Sequence, residues 1–145
     1  HRAPGHAFHQ VVYHDRTSDG VFTADAAGVY VPALDRPRPT SPPPGFDLAA
    51  CLDDVAMLAD LEPTALYYGH FGDQPTGDNL TLYRERLQSW VDAVAAKQRE
   101  LGDDEAVKQY FAEQTETGGV WSGPHARGEE RMNVAGVLRY LEERD

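Results

Sequence analysis

A chain of 145 residues fits one domain, and its 41% apolar content is enough for a packed core. Its 24 acidic residues stand against 11 Arg and 2 Lys (Lys97 and Lys108), for a formal charge of −11. That balance excludes nucleic acid and anionic membrane as expected partners, because both need clustered cations, and no apolar run approaches the ~20 residues of a membrane span.

A cytoplasmic location is the expectation, in line with the absence of a leader pattern. A carboxylate-rich, lysine-poor surface suits a protein kept soluble in high salt, where like charges are screened, and predicts a salt-adapted source. The one cysteine, Cys51, cannot form an internal disulfide. Beside Leu48, Leu52 and Val55 it reads as a small buried hydrophobe.

In chain order, residues 7–15 ("AFHQVVYHD") predict a first strand. "RTSDG" is a turn, and "VFTAD" a second short strand ending at Asp25. Residues 26–45, rich in proline and without a period, predict a long ordered loop of the kind that carries function. Asp47 is placed to cap a helix with an apolar stripe of Leu48, Leu52, Val55 and Leu58, stopped by Pro63. "ALYYGH" is a third strand, ending at His70. Asp78 opens a long helix striped by Tyr83, Leu87, Trp90, Val91 and Val94, and Gly102 closes it. A helix over 103–114 follows, then a loop, then a last helix from about 129 to 143. The pattern predicts an α/β fold with a small sheet and C-terminal helices.

Three metal-competent side chains fall where α/β sheets hold ligands: His6 in the turn before the first strand, Asp25 at the end of the second, His70 at the end of the third. Two imidazoles and a carboxylate suit zinc, with iron and manganese as alternatives. On spacing alone the same residues also read as hydrogen-bonded surface histidines and a turn-forming aspartate.

The motifs choose between these readings. "HRAPGH" resembles the H-x-P-G-H element of the metallo-β-lactamase superfamily, "GVFTADA" its hydrophobic strand ending in Asp, and "YYGHFG" its last strand ending in Gly-His. The order matches over about residues 1–100, and the helix at 46–63 and "HFG" are similar to hydroxyacylglutathione hydrolase-like members. The resemblance implies a binuclear zinc hydrolase in the intact protein. His6 would be the third histidine of the first metal site, Asp25 the bridging ligand and His70 a ligand of the second. It implies further that a metal-activated water attacks an ester- or thioester-like bond.

The family's upstream His-x-His-x-Asp-His element has no counterpart here. The expectation is thus the second half of an αββα sandwich, with residues 1–102 forming the half-domain and 103–145 a helical extension packed on it. Each metal site would be short of ligands, so the chain alone is expected to be inactive and to bind metal weakly or not at all. The rival expectation is a non-catalytic fragment or assembly module that binds no metal.

Of the remaining histidines, His1 reads as structural or loop-forming, His9 and His14 as lying behind a site or on the surface, and His125 as a loop residue with no partner nearby in sequence. Tyr30 is a candidate for lining a substrate pocket. Tyr83, Trp90, Tyr110, Phe111 and Trp121 read as helix packing. Strands apolar on both faces predict self-association, most simply a two-fold dimer.

Overall fold

The computed structural model describes residues 1–116 and 119–144. The helices stand close to where the apolar periodicity puts them. Helix α1 (Leu48–Asp60) is capped by Asp47, whose side chain accepts from the Ala50 N–H at 3.0 Å. Its inner face carries Leu48, Cys51, Val55 and Leu58, and also one carboxylate, Asp54. Helix α2 (Asn79–Leu101) buries Leu80, Tyr83, Leu87, Val91 and Val94 and ends at Gly102, whose φ of 64° favours glycine. Asp78 sits at its N-cap without a side-chain bond to the helix. Helix α3 (Asp104–Gln114) is capped by Asp103, and helix α4 (Gly123–Glu142) completes the set.

Helix α4 begins at Gly123, not near residue 129 as expected. Ser122 at the cap and Pro124 in the first turn are helix-starting residues read as loop. The α4 side chains Val134, Val137 and Leu138 enter the same core as α1, α2 and the sheet.

The strands are shorter and more numerous than expected. Strands β1 (Tyr13–Asp15), β2 (Gly20–Ala24), β5 (Ala65–Tyr68) and β6 (Asp73–Pro75) form one sheet in the order β1-β2-β5-β6. The β2–β5 pair is parallel and the outer pairs antiparallel. The expected strand 7–15 shrinks to Tyr13–Asp15 because the chain folds back on itself earlier. Val12 donates to the His1 carbonyl at 2.9 Å and Ala3 to the Gln10 carbonyl at 3.0 Å. Phe8, at the turn between them, is 73% exposed.

The expected loop 26–45 holds a hairpin of β3 (Val29–Val31) and β4 (Arg36–Arg38), joined by a 3₁₀ turn at Pro32–Leu34. Beyond it the segment is pinned to α4. Ser41 donates its N–H to Asn133 Oδ1 at 2.8 Å and its hydroxyl to the Asn133 carbonyl at 2.9 Å. Gly136 permits the approach, since a Cβ there would stand 1.8 Å from the Ser41 oxygen.

The two sheet faces differ. Val21 and Leu66, paired across β2 and β5, are fully buried under the helices. Tyr13, Phe22 and Tyr67 form a row across β1, β2 and β5 on the other face. Tyr13 is 68% and Phe22 51% exposed there, so that face has no cover from the described residues.

Candidate metal centre

The parallel pairing of β2 and β5 brings their C-terminal ends side by side. Gly69 donates to the Ala24 carbonyl at 3.2 Å, which ties the end of β5 to the residue before Asp25. Ala24 (φ 45°) and Phe71 (φ 65°) have left-handed backbones, a conformation costly for residues with a Cβ. One precedes Asp25 and the other follows His70. His6 reaches the same place from the opposite side, on the turn after Pro4.

The carboxylate of Asp25 therefore faces two imidazoles. Oδ2 is 3.4 Å from His6 Nε2, and Oδ1 is 3.6 Å from His70 Nε2. A direct N–H···O hydrogen bond would be about 2.7–3.2 Å. Two ligand atoms on one tetrahedral zinc, with bonds of about 2.1 Å, stand about 3.4 Å apart. Asp25 Oδ1 and His6 Nδ1 are buried without a hydrogen-bond partner. The donor types, the separations and the orphaned Asp25 oxygen fit metal ligation.

The fit is partial. Among the described residues no group of three or more His, Cys, Asp or Glu side chains is placed to hold a single ion. The arrangement is two two-donor pairs that share one carboxylate. Burial lowers the basicity of His6, and the Asp25 charge opposes that only in part. A neutral imidazole is the form that ligates. His70 is 53% exposed and leaves the site open on one side.

These residues floor a cleft of about 260 Å³. Its opposite wall is the first two turns of α4, including Trp121 just before the helix, His125, Glu129 and Glu130. Trp121 packs edge-on to Phe71 at 5.2 Å, and His125 lies 6.0 Å from the Trp121 ring. His125 Nε2 stands 3.6 Å from Glu129 Oε1. Arg38 at the back pairs with Glu130 at 3.0 Å and donates to Thr115 Oγ1 and the Glu116 carbonyl.

Trp121 and His125 thus line the cleft, contrary to the reading of Trp121 as helix packing and of His125 as a loop residue without a partner. The signal that could have found them is the helix start at Ser122-Gly123-Pro124, which puts His125 and Glu129 one turn apart. Tyr30 corrects in the other direction. It is 3% exposed, donates to Asp35 Oδ1 and packs against Tyr68 in the core, outside the cleft lining. Cys51 is buried as expected, and burial pushes its thiol far up. His14 of β1 pairs with Asp19 of the following turn, 3.3 Å apart, and His9 packs on Phe8.

No protein-family model and no curated protein matches the chain. Among solved structures it is similar to an archaeal metallo-β-lactamase superfamily protein from Sulfolobus tokodaii, with a TM-score of 0.54 and 19% identity. The match covers 97% of this chain and 44% of that one, so the chain spans less than half the length of that structure. At that identity the likeness shows the fold alone: this α/β arrangement is like part of the metallo-β-lactamase fold. No helix among the described residues is long and apolar enough to cross a membrane.

Proposed function

We propose that the chain forms the second half of a metal-dependent hydrolase that cleaves an ester- or thioester-like bond in a small molecule. One observation carries this reading: each oxygen of Asp25 faces a different imidazole, at 3.4 and 3.6 Å. Zinc bound there would supply a water of lowered pKa and a Lewis acid for the carbonyl. The chain's own part is to hold the donors and shape the approach. His6, half-buried, and Asp25 offer one pair, and Asp25 and His70 the other. The exposed side of His70 faces solvent, and the α4 wall with Trp121 and His125 bounds the space for a substrate. Each pair is one donor short of the three protein ligands usual for catalytic zinc. The 145-residue chain by itself is therefore expected to bind zinc weakly and to turn over no ester.

Zinc uptake by the purified chain tests the reading. Up to two ions per chain are expected, removable by a chelator, with Asp25→Asn losing both. No uptake by the wild type would overturn it. A second reading, an assembly module without metal, would then stand. It draws support from the open row of Tyr13, Phe22 and Tyr67.

A further inference from the structure

His6 poses a question of support. A ligating histidine normally donates its second ring nitrogen to a carboxylate, carbonyl or water, which fixes the ring. Here Nδ1 has no partner at full hydrogen-bond geometry, and the Thr40 backbone supports the ring only weakly. The turn that carries the ring is instead gripped from below. Gly5, the residue before it, donates its N–H to Asp54 Oδ2 at 2.7 Å, a buried bond that spans 49 residues. The Gly5 carbonyl accepts from the Asp47 N–H at 2.9 Å. Both polar groups of Gly5 are thus held by α1 and its cap.

The contact leaves no slack. A Cβ on Gly5 would lie 2.2 Å from the Cys51 nitrogen and 2.4 Å from its Cα, so the turn rests directly on the helix backbone. Asp54 is 5% exposed, on the apolar stripe of α1. Among the described residues its carboxylate makes no other hydrogen bond. Leucine would serve the core better at that position, since a buried carboxylate carries a desolvation cost. What the acid supplies there is an acceptor aimed at the one amide that precedes His6.

We propose that Asp54 is a positioning residue for the metal centre: through the Gly5 N–H it fixes the His6 turn on α1, and so sets the His6 imidazole against Asp25 before any ion arrives. The proposal takes from the function above only that His6 is a metal donor. An acceptor on the helix adds to the weak support that the ring has from the Thr40 backbone.

The test uses the 145-residue chain, with zinc alone as the probe, and three readouts: zinc affinity by chelator competition, the His6 imidazole NMR signals without metal, and Gly5 amide exchange. Asp54→Asn keeps an acceptor oxygen and should leave all three near wild type. Asp54→Leu removes it. Zinc affinity should fall at least about tenfold, as for lost supporting partners elsewhere, the His6 signals should shift, and the Gly5 amide should exchange faster. If Asp54→Leu does not fold, Asp54→Glu carries the test. It moves the acceptor out by one methylene and should displace the His6 signals and weaken zinc in a folded chain. Unchanged His6 signals and unchanged zinc affinity in the folded variant would overturn the proposal. Should the wild type bind no zinc, the donor role of His6 fails, while the His6 signals and Gly5 exchange still decide whether Asp54 positions the turn.

Discussion

Ala24 bears the local cost of the site. A left-handed backbone at a residue with a Cβ costs about 1–3 kcal/mol and persists only where the surroundings impose it. Here the Gly69 N–H holds the Ala24 carbonyl, and Asp25 turns out of the sheet toward the imidazoles. A β-branched side chain suits that conformation less than alanine does. Ala24→Val is expected to lower stability by about 1–3 kcal/mol, read as a fall in the urea midpoint; a wild-type midpoint would show that the backbone there relaxes freely. The convergence of His6, Asp25 and His70 was legible because each sits at a strand or turn boundary fixed by local residues. Tyr30 and His125 were not. Whether Tyr30 faces a cleft or the core depends on Tyr68, and the exposure of His125 to the cleft depends on how α4 docks. Neither neighbour is near in sequence.

Helix α4 is held to the segment 39–42 by few groups, and its place decides the cleft wall. The Ser41 N–H is buried and has Asn133 Oδ1 as its acceptor. Asn133→Ala leaves that donor unsatisfied and is expected to cost about 1–3 kcal/mol, measured as a lowered thermal midpoint. Gly136→Ala meets backbone, not a mobile side chain, at 1.8 Å, so the helix must move away from Ser41. It should destabilise more than Asn133→Ala in the same assay; equal or smaller loss would mean that the docking is soft. The start of a helix was legible to within a residue at Asp47, Asp78 and residue 103, and wrong by more than a turn at Gly123, where Ser122 and Pro124 were read as loop. Strands of three residues, such as β3, β4 and β6, are too short to show alternation, and proline inside β4 hides a strand that only its partner completes.

The whole molecule exposes two features that respond to solution conditions. Tyr13, Phe22 and Tyr67 leave one sheet face apolar and open, and a charge of −11 per chain opposes pairing there at low salt. Self-association is expected to strengthen as salt screens that charge, which sedimentation across a salt series would show; a monomer at every concentration would refute it. The second feature is Glu130. Burial pushes its carboxyl above the ordinary value of 4.5, and Arg38 pulls it only part of the way back. The folded chain then holds that proton more tightly than the unfolded chain does. This group's contribution to stability grows as pH falls through its raised folded value, and levels off below 4.5. Glu130→Gln should flatten that part of the curve of urea midpoint against pH, and an unchanged curve would assign the slope to another group.

The parallel pairing of β2 and β5 has a consequence in time. Residues 25–64, with a hairpin and α1 among them, must be closed into a loop before Asp25 and His70 can meet. Contacts so distant in sequence form slowly, after local helices and hairpins. The donor pair is therefore a product of folding and no guide to it. Zinc should slow unfolding by stabilising the finished chain and leave the refolding rate as it is in chelator. Stopped-flow refolding measures this directly, and a rate accelerated by zinc would place the meeting of Asp25 and His70 before the transition state.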